Sequence, residues 1–206
     1  MFELIQKGGV IMYPIILCSI IAFAIILERV NYLRKVKIDA AAFMSNIEGA
    51  LKHKRIADSV KICEDTKGPI ARIVKAGILK YDRPRQEMRE AIEDAGHQEV
   101  PVLEKHIKIL AVIAHISPLL GLLGTVTGMI KAFWVIQVKT IAFNPVSTGD
   151  LAAGIWQALL TTAAGLIVAI SSIVAYHYLA AKVQGLVLEM ERSATELINI
   201  MSQRIE

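Results

Sequence analysis

The chain has 206 residues, of which 54% are hydrophobic and 20% are charged, and its mean hydropathy is +0.50. A soluble protein of this length is less apolar, so the composition indicates a membrane protein. Two cysteines, Cys18 and Cys63, are too few and too differently placed for a disulfide framework or a metal site. The net charge of +4 comes from basic residues that are interleaved with acidic ones, which does not indicate binding to nucleic acid.

Three uncharged stretches account for the apolar composition: residues 8–27 (20 residues), 109–130 (22) and 151–181 (31). Because about 20 helical residues cross the hydrocarbon core, each stretch is long enough to span a membrane. The first stretch is followed by Glu28 and Arg29 without a small-residue cleavage pattern, so we do not expect it to be a cleavable signal peptide. We therefore predict an all-α, polytopic membrane protein with three transmembrane helices.

The distribution of basic residues predicts the orientation of the spans. Sixteen of the 23 Lys and Arg residues lie in residues 29–105, whereas residues 138–149 contain one Lys and no Arg. Positively charged flanks favour the cytoplasmic side of a membrane. We expect the N-terminus outside the cell and the C-terminal tail in the cytoplasm.

The polar segment after the first span reads as a small helical domain. Periodic apolar residues predict helices at 40–51, 56–63 and 69–79, separated by the turn signals at Lys67-Gly68-Pro69 and Asp82-Arg83-Pro84. After Pro84 the helical pattern continues almost without interruption into the second span, with a kink expected at Pro101. The third span, at about 1.5 Å per residue, is longer than a core of about 30 Å, so helices two and three extend into the cytoplasmic domain.

This interpretation divides the chain into six segments. They are a short external N-terminus with transmembrane helix 1 (1–28), the cytoplasmic helical domain (29–107), transmembrane helix 2 (108–137), a short external loop (138–149), transmembrane helix 3 (150–181) and a cytoplasmic helical tail (182–206).

Small and hydroxyl residues recur at three- and four-residue steps on the second and third spans. Such stripes let helix backbones approach closely in lipid, and Gly124 and Gly128 have the GxxxG spacing. The stripes are Ser117, Gly121, Gly124, Thr125, Gly128 and Ala132 on the second span, and Gly154, Ala158, Thr162, Gly165, Ala169 and Ser172 on the third. Two interpretations remain open: the stripes serve packing alone, or their hydroxyls line an ion path. The first span, rich in isoleucine, is expected to face lipid.

Acidic residues are almost absent from the second and third spans. Asp150, at the outer edge of the third span, is the only one between Ile109 and Ala181. If ions cross here, a partner chain must supply the carboxylate. Lys131 is expected to snorkel to the interface, and a packed His115 bonded to a backbone carbonyl is favoured over a place beside an ion path. No catalytic motif is found, so we do not predict an enzyme.

Two motifs carry a family resemblance: SPLLGLLGTVTGMIKAF (Ser117 to Phe133) and GIWQALLTTAAGL (Gly154 to Leu166). They resemble the ExbB/TolQ/MotA ion-driven motor family, and the three-span layout is similar to ExbB and TolQ rather than to the four-span MotA. The resemblance implies a subunit of the bacterial inner membrane that converts proton or sodium flow into mechanical work across the envelope.

The resemblance also implies partners. Five copies would surround the single transmembrane helices of two ExbD/TolR-like chains, whose aspartate faces a ring of threonines, with a TonB- or TolA-like protein as a further partner. Membrane lipid surrounds such a complex, and it needs no cofactor beyond the transported H⁺ or Na⁺. The alternative is a structural membrane scaffold that conducts no ions. Which process is energised stays open: import, envelope maintenance or motility.

By the same resemblance, Thr125 and Thr162 match the threonines of the ion path. The positions that match or extend the close-packing seam are Pro118, Gly121, Gly124, Gly128, Gly154, Ala158 and Gly165. Gln157 stands where family members often have a glutamate, and an amide does not titrate near neutral pH.

Thr161 stands where proton-driven members commonly have alanine. A Thr-Thr pair is similar to the sodium-driven flagellar stators, so a sodium site near Thr161 and Thr162 stays open beside a proton path. The alternative for Thr161 is a hydroxyl bonded to its own helix.

Overall fold

The computed structural model describes residues 8–53, 55–141, 145 and 147–202, except for the side chain of Asp150. These residues form seven helices and no strand, which confirms the predicted all-α fold. The helices are α1 (Met12–Val36), α2 (Ala40–Lys52), α3 (Ile56–Asp65), α4 (Pro69–Ile78), α5 (Arg85–Glu104), α6 (Ile107–Ile141) and α7 (Thr148–Ser202).

Three regions are helical, long and apolar enough to cross a membrane, and their apolar stretches lie in α1, α6 and α7. α7 has 55 residues, and at about 1.5 Å per residue it is more than twice as long as a hydrocarbon core of about 30 Å. Much of this helix therefore extends beyond the bilayer. The chain is a multi-pass membrane protein.

The short helices begin at the residues that the sequence marks. The side chain of Asp39 caps α2, because its Oδ1 accepts a hydrogen bond of 3.1 Å from the backbone N–H of Ala42. Gly68 has a φ of +149°, a conformation that favours glycine, and Pro69 then occupies the first turn of α4. Local sequence signals are enough to place these breaks.

The junction between α5 and α6 differs from the prediction. Helix is nearly continuous over Arg85–Ile141, as predicted, but the kink expected at Pro101 was wrong: α5 runs past Pro101 to Glu104, and the break lies at His106, which has a φ of +63°. A left-handed residue ends the helical hydrogen-bond pattern. The His106 ring Nδ1 lies 2.9 Å from Oε2 of Glu28, a distant contact that the local periodicity does not reveal.

The chain divides into two compact units. We call the first the membrane unit; it comprises the described residues up to Glu28 together with His106–Tyr178. The second, the peripheral unit, comprises Arg29–Lys105 and the described residues from Leu179 onward.

The peripheral unit has its own hydrophobic core. Each fully buried aliphatic side chain stabilises the fold by about 1.5–3 kcal/mol. The hydrophobic side chains with at most 1% exposure include Met44, Ile47, Leu51, Ile70, Val74, Ile78, Met88, Leu103, Leu179 and Leu197. Arg72 and Glu99 join α4 to α5 through two contacts of 2.5 Å, and this hydrogen-bonded pairing raises the pKa of the Arg72 guanidinium. The last part of α7 thus belongs to a folded helical body.

Candidate functional site

The candidate site is the seam along which α6 and α7 run antiparallel. A β-carbon placed on Gly128 would lie 2.9 Å from the carbonyl oxygen of Gly154, and one placed on Gly165 would lie 2.5 Å from the carbonyl oxygen of Ser117. Real β-carbons almost never approach backbone atoms so closely. Glycine at these positions lets the two backbones touch.

Thr161 occupies the buried centre of the seam. Its side chain is fully buried, and its hydroxyl donates within α7 to the carbonyl oxygens of Gln157 (3.1 Å) and Ala158 (2.9 Å). Across the seam the Thr161 side chain fills the space that a β-carbon on Gly124 would need. This geometry matches the alternative in which the Thr161 hydroxyl bonds to its own helix.

Thr162 lies at the edge of the seam and is half-buried. Its hydroxyl donates to the carbonyl oxygen of Gly121 at 3.1 Å, a hydrogen bond between α7 and α6. Gly121 permits this approach, since a β-carbon there would lie 3.1 Å from the Cα of Thr162. The hydroxyl of Thr162 is thus held in a fixed orientation at the margin of the helix pair.

Thr125 is half-buried on α6, and its hydroxyl donates to the carbonyl oxygen of Leu122 at 2.6 Å. It opens onto an apolar groove of about 600 Å³. The groove is lined further by Val126, Met129, Ile130, Phe133, Trp134 and Gln137. The sequence reasoning missed this groove, although Thr125, Met129 and Phe133 follow one another at four-residue steps, which place them on one helix face.

The predicted stripe on the third span included Thr162, but the residue buried in the seam is Thr161. From Ala158 the next position on a helical stripe is three or four residues on, and both choices lead to Gly165. Helical spacing alone does not choose between the two threonines. The docking of α7 on α6 makes that choice.

Gln157 is half-buried, and its amide lies against Gly9 at the beginning of the first span. Gly9 has a φ of +70°, so glycine suits this position both by conformation and by space. The structure therefore brings Gln157 to the chain just before α1. The first span does not face lipid all round, because one face is buried through Met12, Ile15, Ala22 and Ile25.

The remaining predicted residues divide between the seam and the surface of the membrane unit. Pro118 is half-buried, and Gly121, Gly124, Gly128, Gly154, Ala158 and Gly165 are buried. His115 and Lys131 are exposed in the chain, and the His115 ring Nδ1 lies 2.6 Å from the carbonyl oxygen of Ala111 in its own helix.

Acidic side chains are absent from α6 and from the described side chains of residues 148–181. Within the part of the chain that the structure describes, no group of three or more His, Cys, Asp or Glu residues is arranged to hold a metal ion. The seam therefore offers hydroxyl and carbonyl oxygens but no negative charge of its own.

Residues 65–192 match a protein family described as the MotA/TolQ/ExbB proton channel family, and they include both helices of the seam in the membrane unit. The chain belongs to this family. Its members are channel proteins rather than enzymes.

Individual relatives of the MotA/TolQ/ExbB family extend the match over the whole chain. The Tol-Pal system protein TolQ of Pseudomonas aeruginosa is 25% identical and aligns with 100% of this chain and 94% of its own length. A biopolymer transport protein of Synechocystis, ExbB-like 1, is 33% identical over 84% of this chain and 68% of its own length. The biopolymer transport protein ExbB of Aquifex aeolicus is 42% identical over 56% of this chain and 74% of its own length.

Proposed function

We propose that this protein is the ion-conducting subunit of a proton-driven motor in the bacterial inner membrane. Several copies, five by resemblance, surround ExbD/TolR-like helices and convert proton flow into mechanical work on a TonB- or TolA-like protein. The N-terminus lies outside and the tail in the cytoplasm. One observation carries the proposal: the hydroxyls of Thr125 and Thr162 are half-buried in spans that offer no carboxylate among their described side chains.

The hydrogen bonds of these threonines define what they offer to a partner. Each hydroxyl donates its hydrogen to a carbonyl oxygen, that of Leu122 for Thr125 and that of Gly121 for Thr162. What remains on each hydroxyl oxygen is acceptor capacity. A protonated aspartic acid of a partner helix can donate to such an oxygen, whereas an ionised carboxylate cannot. The site thus favours the neutral, proton-carrying form of the partner residue.

The position of Thr161 supports a proton rather than a sodium ion as the coupling ion. A sodium ion needs several oxygen ligands that converge on an open space. The Thr161 hydroxyl is fully buried against Gly124 and already bonded within its helix. It serves as a packing residue in this proposal.

The test replaces the hydroxyl without changing the size of the side chain. Thr162→Val and Thr125→Val each remove one acceptor beside the partner aspartate. A hydrogen bond between two neutral groups contributes about 0.5–1.5 kcal/mol, so we expect proton uptake to fall by roughly twofold to tenfold. Uptake is measured in liposomes that contain the chain and a co-expressed single-span partner with a transmembrane aspartate, under an imposed membrane potential.

Thr127→Val is the matched control. Thr127 is half-buried on α6, as Thr125 is, and its hydroxyl donates to the carbonyl oxygens of Leu123 and Gly124 in its own helix. This variant is expected to keep its uptake, and all three variants are expected to assemble with the partner in size-exclusion chromatography. If Thr162→Val takes up protons as fast as the native complex, Thr162 is not part of the proton path. An assembled native complex without any uptake would favour the scaffold function instead.

A further inference from the structure

The peripheral unit carries an open groove of about 660 Å³ between α2 and the last part of α7. Its lining includes three carboxylates and one guanidinium, those of Glu48, Glu191, Glu196 and Arg192. Lys52 pairs with Glu48 at 2.7 Å, and with this ammonium group counted the three negative and two positive charges still leave the groove acidic. Leu188 also lines the groove and is 47% exposed. The groove therefore offers negative charge beside an apolar surface.

The turn that joins α4 to α5 is a second exposed surface of the peripheral unit. Every residue of the segment 79–85 is exposed. The segment contains three basic residues and one acidic residue, which are Lys80, Arg83, Arg85 and Asp82. Leu79 and Tyr81 are 58% and 51% exposed. The turn thus combines positive charge with two large apolar side chains, so it is complementary to the groove in charge and similar to it in polarity.

Exposed large apolar side chains are rare in the peripheral unit. Among its described residues there are four, namely Leu79, Tyr81, Val102 and Leu188. They lie outside the three uncharged stretches of the sequence, so lipid tails do not account for their exposure. Apolar surface that stays exposed and is rimmed by polar residues marks protein interaction sites. Three of the four residues lie in the groove or in the turn.

The groove and the turn lie at the same level along α7. A β-carbon placed on Gly77 in α4 would lie 2.7 Å from Cδ2 of Leu197, so the end of α4 packs on the part of α7 that borders the groove. The turn begins two residues after Gly77. Copies of one membrane protein are related by rotation about the membrane normal, which brings together surfaces of equal depth. The groove of one copy can therefore receive the turn of the next.

We propose that the turn 79–85 of one copy of this chain docks in the acidic groove of a neighbouring copy. The basic side chains of the turn pair with Glu191 and Glu196, and its two apolar side chains cover Leu188. Because the groove and the turn are different surfaces, the contact is heterologous and repeats from copy to copy around a closed ring. The presence of several copies comes from the proposed function, on which this inference rests.

Cysteine cross-linking in the assembled complex tests the contact. Thr195→Cys in the groove and Asp82→Cys in the turn are introduced into separate copies with different affinity tags, in a Cys18→Ser/Cys63→Ala background. Both copies are co-expressed with the single-span partner, and a short bismaleimide should link the two tags. Neither cysteine variant alone should give a linked dimer, because a heterologous contact joins unequal positions. Thr195→Cys with Lys61→Cys, an exposed position on α3, is the matched control and should give no link.

Charge reversal tests the chemistry of the same contact. Glu191→Lys/Glu196→Lys in the groove should slow the linkage by about tenfold, because two attractive pairs become repulsive. Lys80→Glu/Arg83→Glu in the turn should have the same effect. When the reversed groove meets the reversed turn, the attraction is restored and the linkage rate should recover. Lys61→Glu/Lys67→Glu reverses two exposed lysines outside both surfaces and should leave the rate unchanged.

A complex of several copies in which the two tagged chains are not linked overturns the proposal. A linked dimer of Thr195→Cys alone would show that the groove meets a second groove, which also overturns it. Protection of Thr195→Cys from a maleimide without any link to Asp82→Cys would show that a different protein fills the groove, with the same consequence. Ion flow does not enter these measurements. Linked copies without proton uptake would contradict the motor and keep this contact, whereas uptake without linkage would do the reverse.

Discussion

At the scale of single residues, burial changes the acidity of the Cys63 thiol. The thiol lies in α3 with 4% of the residue exposed, and burial raises its pKa from the ordinary value of 9.0 to about 11, although nearby Lys75 acts in the opposite direction. The unfolded thiol therefore loses its proton at a lower pH than the folded one. The contribution of Cys63 to the free energy of unfolding is complete below pH 9 and is lost as the pH rises towards 11.

This burial predicts the reactivity of the Cys63 thiol. In a Cys18→Ser background, alkylation of native protein by iodoacetamide at about pH 8 should be at least roughly tenfold slower than alkylation of denatured protein, because only an accessible thiolate reacts. Mass spectrometry of timed samples gives both rates. Equal rates would show that the thiol is accessible in the folded protein.

At the scale of the elements, the contact between α6 and α7 depends on glycine for space. Gly124→Ala should destabilise the protein by about 1–3 kcal/mol, because the new methyl group meets the side chain of Thr161 in a packed interface. Gly96→Ala on α5 is the matched control, since a β-carbon there has no neighbour within 4 Å. Alanine favours helix over glycine by about 1 kcal/mol, so the control should be slightly stabilised.

Thermal unfolding in detergent, followed by circular dichroism, measures both glycine variants. The two substitutions are chemically identical, so any difference between them reports the surroundings of Gly124. If Gly124→Ala unfolds at the same temperature as Gly96→Ala, then Gly124 does not lie in a close contact between α6 and α7.

At the scale of the whole molecule, the proposed preference for protons over sodium depends on the burial of Thr161. We expect proton uptake by the native complex to stay the same when sodium is replaced by choline. We expect the same of Thr161→Ala, because the Thr161 hydroxyl is buried and bonded within α7. Proton uptake in liposomes with and without sodium is the measurement. A requirement for sodium that disappears in Thr161→Ala would restore the sodium site near Thr161 and Thr162.

The sequence was sufficient for the elements that depend on local signals. Asp39, Gly68 and Pro69 mark helix starts through capping, backbone conformation and a fixed φ, all of which act within a few residues. It was not sufficient at His106, where the break coincides with a contact to Glu28 that is distant in sequence. The groove beside Thr125 was also missed, because the four-residue spacing of Thr125, Met129 and Phe133 places them on one helix face but does not show that this face forms a groove.

The amino-acid sequence by itself determined that this protein is helical, crosses the membrane three times and carries no carboxylate in residues 151–181. These properties follow from hydrophobicity and composition, which need no knowledge of neighbours. Only the tertiary structure decided that Thr161 is buried in the seam and that Thr162 lies at its edge. A helix places residues three and four apart on nearly the same face, so the packing of α7 on α6 was needed to separate Thr161 from Thr162.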